Sequence, residues 1–371
     1  MLITDPRYFT WLFNIENEIR KSIPIIYLNI WDNLPAPYYN KPYYESCDLL
    51  LGISKQTKLI NELVLGDKAK NKIISYLPHG VDENKFKPLD KNDSEFKKFK
   101  KQFLPEGSNF VAFYNSRNIR RKQTSDTILA FKQFLDSLPL EDAKKCHLIM
   151  HTELVSPAGT NILEVIKVIM GEKYKKQIIL SHNKLTQQQL NYLYNIADVQ
   201  LLLSSNEGWG LSLTEAILAG TPIIANVTGG MQDQMGFKDE KGEWYTPSPE
   251  VPSNHKATYI SCGDWAFPVF PSSISIQGSP STPYIFDDRC EVNNVIKQLK
   301  RVYLMDKQER EDRGKKGREW ALSDEVGFTS KHQGLRFIEN VNRLFEEWKP
   351  REKFELINTK KTSQTLLNHQ L

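Results

Sequence analysis

Between residues 109 and 225, short apolar runs alternate with amphipathic segments, and this alternation limits the fold more than any other feature of the sequence. Each apolar run is too short to form a typical helix, whereas the segment after the first run repeats apolar residues at helical spacing. Strands that alternate with helices predict a parallel sheet covered by helices on both faces. The five predicted strands are residues 109–114, 147–151, 177–180, 199–203 and 222–225.

The three later intervening segments are also predicted helices. One covers residues 162–170, and another begins at Thr186, a residue type that commonly caps helix N-termini. The third covers residues 213–219 and is followed by Gly220, which suits the position after a helix end, where φ is positive.

The part of the chain before residue 83 predicts a second α/β unit. Its apolar runs are residues 23–30, 48–53 and 72–77, and the sequence Pro-His-Gly-Val-Asp at 78–82 forms a linker to the following unit. Three strands are few for a complete doubly wound domain. We therefore expect this amino-terminal domain to be incomplete.

Residues 241–285 interrupt the alternation. Pro, Ser and Gly are frequent there, and four large aromatic residues are interspersed among them: Trp244, Trp265, Phe267 and Phe270. A disordered segment would contain fewer aromatic residues, so we predict a long ordered loop that these side chains pin down. Helices are predicted again over 292–305 and 334–348.

Composition excludes several classes of protein. The net charge of +4 is too small to indicate nucleic-acid binding. The four cysteines are scattered without a Cys-x-x-Cys pair, which argues against a disulfide framework or a structural zinc site and favours a reducing compartment. The sequence contains no leader pattern and no run near the ~18 apolar residues that span a bilayer. We therefore expect a cytoplasmic protein, with peripheral contact to a membrane surface left open.

The segment 204–224 is the most informative for chemistry. It follows a predicted strand, contains two glycines in a turn and begins a helix, with Glu207 in the turn and Glu215 eight residues later. Ligands of open parallel sheets bind beyond the carboxyl ends of the strands. Amide groups around Gly210 and Leu211, at the helix start, would bind a phosphate. Two carboxylates beside a phosphate site suit a nucleoside diphosphate sugar, which has hydroxyl groups on both sides of its pyrophosphate.

A structural explanation competes with this one. Ser212 and Glu215 have the spacing of a capping box, in which the glutamate only satisfies the start of the helix. The complete pattern favours the functional interpretation, because both glutamates bracket the two turn glycines between a strand and a helix.

The stretch 207–222 resembles the signature of the retaining GT-B glycosyltransferases of family 4, also called glycosyl transferases group 1, and the linker 78–82 resembles their Pro-Asn-Gly-Val-Asp. The resemblance implies an α/β protein with the GT-B fold: two Rossmann-like domains with parallel sheets. It also implies that Glu207 binds the donor sugar and Glu215 the ribose, while Gly208, Trp209, Gly210 and Leu211 form the phosphate-binding turn.

The second family motif, a Gly-Arg with a lysine about five residues later, is matched by Arg117 and Lys122 after Ser116. With Glu207, these two residues are the predicted catalytic group. The nucleoside diphosphate gains negative charge as the glycosidic bond breaks, and fixed cations would stabilise that charge. Arg120 and Arg121, between them, are predicted to lie in a solvated turn.

No Asp-x-Asp motif occurs in the sequence, so we expect neither a metal nor another cofactor, and the nucleotide sugar is a substrate. After the fifth strand, Gly229 and Gly230 match a glycine-rich turn that lies near the donor in relatives. Backbone contact to the donor and a simple strand-to-helix turn both remain open for these two glycines.

The chain departs from the family in its amino-terminal domain. The usual glycine-rich turn is missing, so we expect a truncated or split gene, with a partner chain as one source of the missing half. Relatives place a histidine near the anomeric carbon, where this chain offers Asn29 or Asp32. His79 in the linker is either a cleft residue or a turn histidine.

The sequence thus predicts three parts: an acceptor-side domain with its linker at 1–82, a nucleotide-sugar domain at 83–350 with the 241–285 insertion, and a polar tail at 351–371. The predicted activity is metal-independent transfer of a hexose, with retention, to an acceptor hydroxyl of an unknown glycan, lipid or protein. The alternatives are a catalytically silent nucleotide-sugar-binding remnant, a nucleotide-sugar epimerase and a scaffold protein.

Overall fold

The structure is a computed structural model that describes residues 1–255 and 261–352. Most of the predicted polar tail lies outside the described residues. The first sheet contains four parallel strands in the order β1-β2-β3-β4. Its strands are β1 (Leu2–Ile3), β2 (Ile26–Asn29), β3 (Leu49–Gly52) and β4 (Ile73–Tyr76). The helices around it are α1 (Thr10–Phe13), α2 (Glu16–Ile19), α3 (Lys41–Glu45) and α4 (Lys55–Leu65).

The second sheet contains six parallel strands in the order β10-β9-β8-β5-β6-β7. Its strands are β5 (Phe110–Asn115), β6 (Cys146–His151), β7 (Ile178–Ser181), β8 (Val199–Leu202), β9 (Ile223–Asn226) and β10 (Ala266–Val269). The associated helices are α5 (Ser94–Phe103), α6 (Thr124–Asp136), α7 (Leu140–Ala143), α8 (Ile162–Ile169), α9 (Gly171–Tyr174), α10 (Gln187–Ile196), α11 (Leu211–Ala219), α12 (Met231–Gln234), α13 (Val292–Leu304) and α14 (Lys307–Leu322).

The central strand shows why this sheet is covered on both faces. Alternate side chains of a strand point to opposite faces, and in β5 both sets are buried. Phe113 packs with residues of α10 and α11 on one face, whereas Phe110 packs with residues of α6 and α13 on the other. The predicted parallel sheet with helices on both faces is therefore confirmed.

Most predicted element boundaries are confirmed within a few residues. Thr186 caps α10 through a capping box, and Gly220 follows α11 with φ +79°. The three strands expected before residue 83 are β2, β3 and β4, and the structure adds the short β1. The final helix, α15 (Ser330–Glu347), returns to the first sheet, where Leu344 packs against Leu28 and Leu51. The domain division and the incompleteness of the first domain stay predictions.

The prediction of a long loop over 241–285 is wrong for its second half. After residue 265 the chain forms β10, an edge strand, and then a hairpin of β11 (Pro271–Ser279) and β12 (Thr282–Cys290). The strand signal was weak because β10 contains Pro268, which is tolerated at a sheet edge, and β11 is rich in exposed serines. In the first half, Trp244 and Trp265 do pin the segment by packing against Trp320.

None of the helices in the described ranges is both long and apolar enough to cross a membrane.

Candidate functional site

A cleft of about 580 Å³ lies where the carboxyl ends of the two sheets face each other. The first sheet contributes residues that follow β2, β3 and β4, and the second contributes residues that follow β5, β6, β7 and β8. The polar residues that line the cleft include Asp32, His79, Asn115, Arg117, Arg121, Lys122, His151, Glu153, His182, Glu207 and Glu215.

The turn between β8 and α11 forms one wall of the cleft and depends on its glycines. Gly210 has φ +67° and caps α11. The Gly208 amide donates to Asp32 Oδ1 at 3.1 Å, and a Cβ on Gly208 would lie only 2.7 Å from the carbonyl oxygen of Ile30. Because the first amides of a helix have no partner within it, those at the start of α11 can bind an anion in the cleft.

Glu207 lies within this turn and carries a buried negative charge. Its side chain pairs with Lys122, accepts a hydrogen bond from Arg121 Nη1 at 3.1 Å, and accepts another from Ser204 Oγ at 3.2 Å. Burial alone would raise the pKa of Glu207, but the charges of Lys122 and Arg121 hold it below its usual value. Glu207 is therefore ionised at neutral pH, and the cleft has a fixed group of one anion and two cations.

Arg121 also joins the two halves of the cleft. Its Nε lies 3.6 Å from Asp32 Oδ2 in the first half, and its Nη1 donates to the carbonyl oxygen of Asn206 at 2.8 Å in the second. Burial raises the pKa of Asp32, and the nearby Glu207 carboxylate adds to this effect, although Arg121 opposes it. The prediction that Arg121 lies in a solvated turn is wrong.

The sequence could not distinguish the cations of this turn because three basic residues follow one another in a short 3₁₀ helix. The backbone directs Arg121 and Lys122 towards Glu207 and directs Arg120 towards Asp287. Arg117, the expected partner of Lys122, lies instead at the rim of the cleft, where its side chain is 77% exposed and 4.0 Å from Glu153.

Glu215 points from the first turns of α11 into the cleft. Its Oε2 accepts a hydrogen bond from Tyr194 Oη at 2.6 Å, and Asn115 Nδ2 lies 3.5 Å away. Burial raises the pKa of Glu215 to about 7. The capping-box alternative is wrong, because Gly210 is the N-cap and Glu215 bonds to Tyr194 rather than to the helix start.

The remaining residues of the predicted donor site differ in how directly they face the cleft. Leu211 is 47% exposed at the start of α11, whereas Trp209 is buried and donates through Nε1 to Thr214 at 3.1 Å. Gly229 and Gly230 lie behind the turn. A Cβ on Gly229 would lie 2.1 Å from the carbonyl oxygen of Glu207, so this glycine allows the two segments to pack closely.

The three predicted residues of the first half have different positions. Asp32 and His79 line the cleft, and burial lowers the pKa of His79. Asn29 is fully buried, and its side-chain amide donates to Tyr44 Oη at 2.9 Å and to Asn61 Oδ1 at 2.6 Å. The prediction that Asn29 lies in the cleft is therefore wrong, because the side chain fills hydrogen-bonding positions within the first domain.

Sequence reasoning also missed three residues that line the cleft: His151, which ends β6, and Glu153 and His182, which follow β6 and β7. His151 Nδ1 lies 2.9 Å from the carbonyl oxygen of Ser181, and burial lowers the pKa of His151. The signal was available, because these residues end or follow predicted strands whose carboxyl ends share one edge of the sheet. Within residues 1–255 and 261–352, no group of three or more His, Cys, Asp or Glu side chains is arranged to hold a metal ion.

Two parallel α/β sheets that face each other across a cleft define the GT-B class of fold. Solved structures support this assignment: Anabaena HepE in complex with UDP and glucose is similar, with a TM-score of 0.63 and 14% identity, over 91% of this chain and 76% of that one. The predicted fold is thereby confirmed.

Residues 94–251 match the family described as glycosyl transferases group 1. Mannosylfructose-phosphate synthase of Agrobacterium fabrum is 24% identical over 51% of this chain and 39% of its own length. D-inositol 3-phosphate glycosyltransferase of Corynebacterium jeikeium is 26% identical over 50% of this chain and 43% of its own length. The matches thus span less than half of these two relatives. These matches support the predicted family: residues 94–251 match glycosyl transferases group 1, and the chain has the GT-B fold.

Proposed function

We propose that the protein transfers a hexose from a nucleoside diphosphate sugar to an acceptor hydroxyl, with retention and without a metal. The observation that carries this proposal is the cluster of Glu207, Lys122 and Arg121 beside the start of α11. It combines two cations, one ionised carboxylate and free helix-start amides in a single cleft. An activated sugar requires these groups, because it presents phosphates and hydroxyls side by side.

The cations and the amides would bind the pyrophosphate. Lys122 and Arg121 carry two positive charges, and Arg121 can bind two oxygens at once because its donors form a planar fork. When the bond to the sugar breaks, negative charge grows on the leaving phosphate. Cations already held in place stabilise that charge without reorganisation, and this lowers the barrier to transfer. They would supply the charge that a metal provides in other transferases.

The carboxylates would bind hydroxyl groups on either side of the phosphates. Glu207 is ionised and therefore acts only as an acceptor, which suits the hydroxyls of a sugar. Glu215 would bind the ribose, and Tyr194 already occupies one of its oxygens, which fixes the carboxyl group in a single orientation. This assignment of Glu207 to the sugar and Glu215 to the ribose follows the family motif.

Comparisons and chemistry support other parts of the proposal. The structural neighbour HepE is in complex with UDP and glucose, which supports a nucleotide sugar as substrate. We propose retention of configuration at the anomeric carbon because the motifs at 116–122 and 207–215 resemble those of the retaining family. The four cysteines are all free thiols, which supports a cytoplasmic site of action. We leave the acceptor as a hydroxyl of a glycan, a lipid or a protein.

A catalytically silent nucleotide-sugar-binding protein is the second candidate, and one observation favours it. Asn29, one of the two residues expected at the place of the family histidine, is buried away from the cleft. The first domain then offers Asp32 and His79 as its titratable side chains that line the cleft in the described residues. If neither side chain contacts the acceptor hydroxyl, the protein would bind the nucleotide sugar without transferring its hexose.

Calorimetric titration with UDP, GDP, UDP-glucose and GDP-mannose, followed by product analysis on acceptor arrays, tests both candidates. We expect at least one nucleotide to bind and its sugar to be transferred. Glu215→Ala should weaken binding, whereas the matched variant Glu172→Ala, on an exposed helix, should not. Binding without hydrolysis or transfer would favour the silent protein, and no binding of any of these compounds would contradict both candidates.

A further inference from the structure

Strand β12 carries two adjacent carboxylates, Asp287 and Asp288, that are 1% and 0% exposed. They lie beyond the family match at residues 94–251 and did not form part of the predicted site. Buried carboxylates are costly unless they are paired or hydrogen-bonded, so the partners of these two indicate what they hold in place.

Asp287 uses both of its oxygens. Oδ1 accepts hydrogen bonds from Ser205 Oγ at 2.9 Å and from Asn206 Nδ2 at 3.1 Å. Oδ2 accepts a hydrogen bond from Arg120 Nη1 at 2.7 Å. One carboxylate therefore connects the segment just before Glu207 with the basic turn at residues 120–122.

These two segments supply the opposite charges of the cleft. Ser205 and Asn206 directly precede Glu207, and Arg120 directly precedes Arg121 and Lys122. The two segments are also linked by a backbone hydrogen bond from the Ser205 amide to the carbonyl oxygen of Arg121 at 2.8 Å and by one from Arg121 Nη1 to the carbonyl oxygen of Asn206 at 2.8 Å. Displacement of either segment would move Glu207 relative to its two cations.

Asp288 fixes the strand itself. Its Oδ2 accepts hydrogen bonds from Thr228 Oγ1 at 2.6 Å and from Asn33 Nδ2 at 2.8 Å, so it contacts both halves of the molecule. Its amide donates to the carbonyl oxygen of Ser205 at 2.8 Å. These contacts hold the neighbouring Asp287 in place, so that it can position the segments that it binds.

We propose that Asp287 is a positioning residue that sets the geometry of Glu207, Arg121 and Lys122 for the pyrophosphate of the donor. The inference rests on the proposed function, because it assigns the cluster to that ligand. Displacements of about 1 Å in a preorganised site can cost up to a hundredfold in rate. Nucleotide binding should therefore respond to Asp287 although this residue does not line the cleft.

The test uses the full chain and the variant Asp287→Asn, which keeps the shape and one acceptor oxygen but removes the charge opposite Arg120. The matched control is Arg289→Ala. Arg289 lies on the same strand, and its Nη2 donates to Asp126 Oδ2 at 2.9 Å and to Gln123 Oε1 at 3.0 Å, at the end of the basic turn rather than beside Glu207. Both variants are titrated with UDP and GDP, and their thermal midpoints are measured in parallel.

We expect Asp287→Asn to weaken nucleotide binding about tenfold, and Arg289→Ala to change it less than about twofold. Nucleotide binding is also measured for Arg120→Ala and for the double variant Asp287→Asn/Arg120→Ala. Because both substitutions break the same contact, we expect the double variant to lose less binding free energy than the sum of the two single variants. Unchanged binding in Asp287→Asn overturns the inference. Equal weakening of nucleotide binding in Asp287→Asn and Arg289→Ala, in proportion to the thermal stability that each loses, also overturns it, because this would show a merely structural role.

Amide hydrogen exchange without nucleotide separates this inference from the proposed function. Asp287→Asn should accelerate exchange in both residues 203–210 and 117–123, whereas Arg289→Ala, which removes a contact to Gln123, should leave exchange in residues 203–210 unchanged. Unchanged exchange in these segments overturns the positioning role even if nucleotide binds. If the wild type binds neither UDP nor GDP, the assignment of the ligand fails, and the exchange result decides the positioning role by itself.

Discussion

Replacement of Glu215 by glutamine should stabilise the protein at alkaline pH and leave its stability nearly unchanged at acidic pH. Glu215 is buried beside Tyr194, and burial raises its pKa from 4.5 to about 7. A glutamine has the same shape and can still accept the Tyr194 hydroxyl hydrogen, but it cannot ionise. The substitution therefore isolates the cost of the buried negative charge.

The size of the effect follows from the two pKa values. At pH 4 the carboxyl group is largely protonated in both the folded and the unfolded chain, so it contributes little difference. Between pH 4.5 and 7 the unfolded chain releases a proton that the folded chain retains, and the free energy of unfolding falls as pH rises. Above pH 7 the carboxyl group is ionised in both states, and the folded protein carries the full free-energy cost of the buried charge. A difference of about 2.5 pKa units corresponds to at most about 3 kcal/mol.

Thermal denaturation of wild type and Glu215→Gln at pH 4.5 and pH 8 measures this difference. The contributions of the other titrating groups to stability cancel, because the two proteins share them. We expect the variant to melt several degrees higher at pH 8, at about 2 to 4 °C per kcal/mol for a large domain, and about equal to wild type at pH 4.5. Glu172→Gln, at an exposed site, should show neither shift. A variant that is no more stable than wild type at pH 8 would refute the buried-charge explanation, as would an equal gain at both pH values.

Three further substitutions test the cleft. Glu207→Gln leaves Lys122 and Arg121 without their shared anion, and we expect a loss of about 1 to 3 kcal/mol in the free energy of unfolding; an unchanged urea midpoint would contradict the pairing. Arg121→Ala should slow sugar transfer more than Arg117→Ala, because the first side chain contacts the cluster and the second is exposed; equal rates would remove this distinction. Gly229→Ala should cost about 2 to 4 kcal/mol through overpacking and left-handed strain, and a wild-type melting temperature would contradict the close packing.

The sequence predicted the second sheet well because its strands are buried on both faces. A strand such as β5, in which every residue except the last is buried, is a continuous apolar run that periodicity detects. The hairpin β11–β12 lacks this signal. Its first strand is mainly exposed, and its second is held by partners far away in the chain, such as Arg120 for Asp287. Long-range contacts of this kind leave no local pattern in a sequence.

The sequence by itself determined the parallel α/β architecture, the turn with its two glycines, and the spacing of Glu207 and Glu215, because these features depend on neighbouring residues in a regular element. The tertiary structure decided which of the basic residues pairs with Glu207, that Asn29 is buried, and that β12 supports the cleft. Each of these depends on the direction of a side chain towards a partner from a distant segment, and that direction is set only when these segments pack together in the folded chain.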